Sequence, residues 1–144
     1  MKKIALASDH AGFELKEKIK GLLTAKGFTF TDFGTNSSES CDYADYAHPM
    51  ADSVEKGICD FGISVCGSGN GINMTVNKHQ GIRAALCWNR EISYLSRLHN
   101  NANILSLPAR FITEQEAVEI IDAFINTSFE GGRHQCRIDK IPLK

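Results

Sequence analysis

Five short apolar runs, separated by stretches with helical periodicity, constrain this chain more than any other feature of its sequence. The runs are Lys3 to Ser8, Phe28 to Phe33, Phe61 to Val65, Ile82 to Trp88 and Asn103 to Leu107. Between the first two, Phe13 to Lys26 places Leu15, Ile19, Leu22 and Leu23 on one stripe, with Gly27 beyond its end. Asp45 to Lys56 carries Met50, Ala51 and Val54 at similar spacing, with Pro49 in its early turns. Ile72 to Lys78 is a shorter helix candidate, and Glu91 to His99 spaces Ile92, Leu95 and Leu98, with Asn100 and Asn101 able to end it. Thr113-Glu114-Gln115-Glu116 matches a capping box that opens a helix with Ala117, Ile120, Ile121 and Phe124 on its apolar face.

Strands alternating with helices at this spacing predict βαβ units. The fold class that follows is α/β: a three-layer α/β/α sandwich, Rossmann-like, around a five-stranded parallel sheet. A length of 144 residues with 42% hydrophobic content fits one domain, residues 1–144. Ligands of such sheets sit outside the carboxyl ends of the strands. That rule gathers Ser8-Asp9-His10, Cys66 to Gly71 and Pro108 to Arg110 along one edge.

Lys+Arg 16 against Asp+Glu 17 leaves a formal charge of -1, so no global basic field recruits nucleic acid or an anionic membrane. An anionic ligand must then be held by a local cluster. No apolar stretch approaches spanning length, and the apolar segment at the start of the chain is too short for a signal sequence, so a soluble, cytoplasmic protein is expected. Five cysteines without a C-x-x-C spacing argue against a disulfide framework or a standard zinc site. Reduced thiols are the default, and Cys66 differs from the others by its place in the chain.

Cys66 ends an apolar run and opens Gly67-Ser68-Gly69-Asn70-Gly71-Ile72. Glycines let a backbone bend tightly and turn its amides toward an anion. Ile72 stands where a dinucleotide fingerprint needs its third glycine and where a cysteine phosphatase loop needs arginine, and no G-K-[ST] is present for a triphosphate loop. A thiol beside a compact nest of amides remains, suited to an oxyanion or an enolate; a tight turn around a buried thiol is the equally simple structural reading. Asp9 is an N-cap candidate or a ligand, and His10 a phosphate or proton contact or a surface histidine. His99, at a helix end, is a C-terminal cap or a general acid. Arg133 and Arg137 share a face if helical and form a clamp for a phosphate dianion or a solvated surface, and Arg110 can join them.

Ser8-Asp9-His10-Ala11-Gly12, Asp42-Tyr43, Cys66 to Gly71, Asn77-Lys78, Gly81-Ile82-Arg83-Ala84, Ser96 to Asn100 and Gly131-Gly132-Arg133-His134-Gln135 resemble, in order along nearly the whole chain, the type B ribose-5-phosphate isomerases, a group that also includes galactose and allose 6-phosphate isomerases. The resemblance implies cytoplasmic pentose phosphate metabolism: ribose 5-phosphate and ribulose 5-phosphate interconverted through an enediolate, with no metal or organic cofactor. By the same resemblance Cys66 is the base and His99 the acid that opens the sugar ring. Asp9 and His10 bind substrate, Gly67, Ser68, Gly69, Asn70 and Gly71 hold the enediolate oxygen, and Tyr43 lines the site. Asn100, Arg110, Arg133 and Arg137 supply the remaining contacts, the arginines to phosphate. Sheet order 2-1-3-5-4 and a homodimer or homotetramer with shared sites are also implied, with sugar phosphate the small-molecule partner.

Ser68 stands where many such chains carry threonine, Ala44 where many carry proline, and Asn70 where an apolar residue is common. Asn70 bears on sugar preference, so a six-carbon sugar phosphate is the nearest alternative substrate. A silent sugar-phosphate-binding domain is the alternative from another class, and retention of Cys66 and His99 opposes it.

Overall fold

The computed structural model describes residues 2–143. In chain order the elements are β1 (Lys3–Ser8), α1 (Phe13–Ala25), β2 (Thr29–Asp32), α2 (Tyr43–Glu55), β3 (Phe61–Cys66), α3 (Asn70–Val76), β4 (Ala84–Leu86), α4 (Arg90–Leu98), β5 (Ile104–Pro108), α5 (Glu114–Asn126) and α6 (Arg133–Ile138). All strand pairs are parallel, in the order β2-β1-β3-β5-β4 that the resemblance implies.

Local chemistry sets the helix ends. Asn89 caps α4 by accepting from Ile92 N at 3.0 Å. The capping box at α5 closes as predicted, with Glu116 N on Thr113 Oγ1 at 3.1 Å and Thr113 N on Glu116 Oε1 at 2.9 Å. Most boundaries shift by only one or two residues from the sequence reading, α3 for instance running Asn70–Val76. α2 starts at Tyr43, ahead of Asp45. β4 is only three residues long, because it is an edge strand with β5 as its single partner and Ile82 N turns back to His79 O instead.

Strand alternation separates two unequal apolar layers. Large side chains of the sheet, Ile4, Leu6, Ile63, Val65, Leu105 and Leu107, pack with Ile19 and Leu23 of α1 and with Ile120, Ile121 and Phe124 of α5. The other face is built small, from Ala5, Ala7 and Gly62, so that α2 and α3 lie close against the backbone. A Cβ on Gly62 would stand 2.7 Å from Met50 Sδ. Gly12 serves the same end at the start of α1, where any side chain would collide with the Val65 carbonyl.

One ion pair ties α1 to β2 from inside. Lys16 is fully buried, and its Nζ donates at 2.7 Å to both carboxylate oxygens of Asp32 and at 2.8 Å to Thr35 O. Burial alone would raise the Asp32 pKa, but Lys16, the Gly34 amide and Lys20 outweigh it and hold the carboxyl below its ordinary value. Removing one partner strands the other, so Lys16→Met is expected to cost about 2–4 kcal/mol in urea unfolding. A carboxyl held low in the native state contributes stability that is complete above its unfolded pKa of 3.8 and is lost as pH falls below it. The acid limb of the stability curve should therefore be shallower in Lys16→Met than in the parent.

Candidate active site

The register of the three central strands brings the first cluster together. Ser8 lies opposite Val65, and Cys66 opposite Pro108, so the residues leaving β1, β3 and β5 emerge at one level. The chain crosses from β1 to β2 on one side and returns to β3 on the other, which opens a crevice between Asp9 and Cys66. Both residues are buried, at 6% and 4% exposure. Asp9 uses Oδ1 to accept from Gly12 N at 3.0 Å, which fixes the carboxylate at the turn into α1.

The loop after Cys66 folds over its own sulfur. Gly69 has φ +76, the left-handed region that favours glycine, and its amide donates to Cys66 Sγ at 3.1 Å. Such a bond is stronger to a thiolate than to a thiol. Asn70 N donates to Ser68 Oγ at 3.2 Å, while the amides of Gly67 and Ser68 bond to no described group of the protein. These two N–H groups are free to act as oxyanion donors. Cys87 is a contrast: burial pushes its thiol up to about 11, leaving it protonated and inert.

Neighbouring side chains wall the crevice. Tyr43, at the first turn of α2, occupies the space that a side chain on Gly71 would need. Arg110 lies over Gly67, its Nη1 3.0 Å from where a Cβ would stand, and its amide donates to Gly67 O at 3.0 Å. His10 accepts from Cys41 N at Nδ1, 3.2 Å away. In the neutral ring the proton is therefore assigned to Nε2, which keeps a donor for a ligand.

His99, Asn100, Arg133 and Arg137 gather elsewhere. His99 caps the C-terminus of α4, and residues 99–103 lead into β5, so they stand at the amino edge of the sheet. β5 carries the chain about 13 Å from that edge to the one where Cys66 lies. The loop is held by arginines. Arg83 donates to the carbonyls of Asn100 and Asn101, and Arg97 donates to Ala102 O and to Thr127 O. α6 brings His134 onto His99, ring centroids 4.3 Å apart and 18° from parallel. His99, Asn100, His134 and Arg137 line a cavity of about 310 Å³ with Ile138 and Ile141.

His99, Glu130 and His134 are the one described trio of potential metal ligands within reach of each other. Imidazole lone pairs lie in the ring plane, and two nearly parallel stacked rings cannot both aim at one ion. Arg133 and Arg137 beside them oppose a cation further.

The sequence profile described as Ribose/Galactose Isomerase matches residues 4–141. The chain belongs to that family. It is 44% identical to the ribose-5-phosphate isomerase B of Escherichia coli strain K12, over 98% of this chain and 95% of the relative. Among solved structures it is similar to a ribose 5-phosphate isomerase from Thermotoga maritima, with TM-score 0.96, 52% identity and coverage of 98% and 97% of the two chains. It is also similar to ribose-5-phosphate isomerase B from Mycoplasma genitalium, solved with bound ribulose-5-phosphate, with TM-score 0.93, 45% identity and coverage of 96% and 93%.

For this isomerase-family chain the fold joins Asp9, His10, Tyr43, Arg110 and Cys66 to Gly71, and it sets His99, Asn100, Arg133 and Arg137 apart. One grouping made from the sequence needs correction. Arg110 does not join Arg133 and Arg137 within a chain, because it leaves β5 at the carboxyl edge and α6 docks at the end of α4. Arg133 and Arg137 do lie in one short helix, as their spacing suggested. Glu130 and His134 also stand beside His99, and the sequence reading singles out neither. His134 lies within the Gly131 to Gln135 stretch, but nothing local ties it to His99.

Gly71→Ala tests the wall of the crevice. The new methyl must displace the Tyr43 ring, while alanine's helix preference of about 1 kcal/mol offsets part of the clash. Isomerase activity is expected to fall roughly 10–100-fold with little change in the urea midpoint.

Proposed function

We propose that this protein is an aldose–ketose isomerase that interconverts ribose 5-phosphate and ribulose 5-phosphate, with each active site assembled from two copies of the chain. Cys66 carries this reading: a thiol at the carboxyl edge, with a backbone N–H on its sulfur and two free amides beside it, in a family whose solved members include one holding ribulose-5-phosphate.

The chemistry follows from that arrangement. In the open-chain aldose, Cys66 takes the proton from C2 as charge moves to the carbonyl oxygen on C1. The Gly67 and Ser68 amides stabilise that oxygen. A proton passes from the C2 hydroxyl to the C1 oxygen, and the thiol returns its proton to C1, leaving the ketose. Asp9 holds a sugar hydroxyl with the carboxylate oxygen that Gly12 does not use, and Tyr43 closes the side of the crevice. Arg110 and the Nε2–H of His10 face the phosphate from the same chain.

The partner copy supplies His99, Asn100, Arg133 and Arg137. About 13 Å of strand separates these residues from Cys66 within a chain, whereas a symmetric pair can set the carboxyl edge of one copy against the amino edge of the other. His99 protonates the ring oxygen to open the furanose, and the two arginines complete the phosphate clamp. Phosphate binding energy then holds C1 and C2 against the thiol, which raises the rate although the clamp is remote from the bonds that change. A homodimer in a reducing cytoplasm, serving pentose phosphate metabolism, fits five unpaired thiols.

Incubation with ribose 5-phosphate in deuterated water, followed by NMR, should show ketose formation with deuterium from solvent. Allose and galactose 6-phosphates run in parallel test the six-carbon alternative. No turnover of any of them by the folded protein would refute the reading. Cys66→Ala should lower turnover at least about 10³-fold while phosphate-ester binding persists.

Shared sites make a second, independent prediction. Cys66→Ala and His99→Asn homomers should each be inactive, and unfolding and refolding them together in equal amounts should restore about a quarter of parental activity, since half the dimers are mixed and each has one intact site. Sites contained within single chains would give no recovery.

A further inference from the structure

The segment between α5 and α6 is built onto the end of α4 in more ways than a connection requires. Arg97 Nε donates to Thr127 O at 3.3 Å, and Glu130 N donates to Leu98 O at 3.0 Å, satisfying a carbonyl of the last turn of α4. Gly131 and Gly132 then take φ +75 and +58, the left-handed turn that sends α6 back across His99. The Glu130 carboxylate is left at the centre of three donors. Its Oε2 is 3.9 Å from His99 Nε2 and 3.6 Å from His134 Nε2, and its Oε1 is 3.6 Å from Arg133 Nη1. Among the described residues it is the only carboxylate within 4.0 Å of His99.

His134 adds a second observation. It is 6% exposed, and its Nε2 has no hydrogen-bond partner. Burial, then the charges of Arg133 and His99, lower its pKa, which favours the neutral form of the ring stacked on His99. His99 thus has a stacked imidazole against its face and the Glu130 carboxylate 3.9 Å from its Nε2. Arg133 and Arg137 would oppose a positive charge on His99, and Glu130 is placed to offset them.

We propose that Glu130 is the positioning residue of the ring-opening acid: it keeps the proton on His99, fixes the imidazole against His134, and through Arg133 links the acid to the phosphate clamp. This rests on the isomerase reading above. In the step it serves, the His99 proton goes to the furanose ring oxygen and the bond from that oxygen to C1 breaks, its electron pair staying on oxygen. The C1 hydroxyl proton leaves to His99 or solvent, and the aldehyde forms.

The two substrates separate this step from the rest. Ribose 5-phosphate is a furanose and must be opened. Ribulose 5-phosphate has its C5 oxygen esterified, has no hydroxyl with which to close a furanose, and reaches the enediolate without an acid. Deuterium uptake at C1 of ribulose 5-phosphate therefore reads the thiol alone, whereas net conversion of ribose 5-phosphate reads both.

At saturating substrate, Glu130→Gln is expected to lower net aldose conversion by about 10–100-fold and ketose exchange by less than about threefold. Glu130→Asp, which keeps the charge, should recover part of the loss. Assembly is checked by light scattering. An equal fall in both rates, or no fall in either, would overturn the positioning role, and if Glu130→Gln does not fold, the same comparison on Glu130→Asp decides it. If the parental protein neither converts nor exchanges, the isomerase reading itself fails, and the two failures are thereby told apart.

Discussion

Everything at the thiol edge depends on the parallel pairing of β1, β3 and β5 in a register that ends the three strands together. Ser8 opposite Val65 and Cys66 opposite Pro108 leave Asp9, Gly67 and Arg110 as neighbours, although about a hundred residues separate the first from the last. The reversal of crossover direction at β1 then opens the crevice between Asp9 and Cys66. Backbone hydrogen bonds common to any parallel sheet thus set the position of the sulfur to within the slack of one loop. The loop removes that slack by folding the Gly69 amide onto the sulfur.

The same topology keeps the second cluster away. In a βα unit the helix runs back along the sheet, so α4 must deliver its C-terminus, with His99, to the amino edge. Arg83 and Arg97 hold the backbone of the loop that follows, and α6 stacks His134 on His99 and brings Arg137 to the same cavity. These groups are too ordered for a frayed helix end: a buried imidazole is stacked on His99, and a carboxylate is shared among two histidines and an arginine. The proposed assembly of two copies would give that order a purpose, because each copy would present at one edge what the other lacks.

Close packing makes room for both clusters. Gly12 admits the start of α1 to the Val65 carbonyl, Gly71 admits the Tyr43 ring, and Gly67 admits the Arg110 guanidinium. None of these contacts is visible locally, because a glycine in a turn looks the same whether it serves a positive φ or a neighbour distant in sequence. Gly69 and Gly34 combine both needs, with φ +76 and Leu86 against the site of a Cβ at the first, and φ +106 and Tyr46 there at the second.

Periodicity, caps and apolar runs determine the α/β class, the five strands and the line of Asp9, Cys66 and Arg110 from the sequence alone, because strand and helix periods are local and the carboxyl-edge rule is general to parallel sheets. The motifs in order along the chain also carried the family. The tertiary structure alone decided the short β4, the separation of Arg110 from Arg133 and Arg137, and the gathering of His99, Glu130 and His134. The reason is physical: those outcomes depend on which edge of the sheet each connection reaches and on what packs there, and neither leaves a periodic signal in the chain.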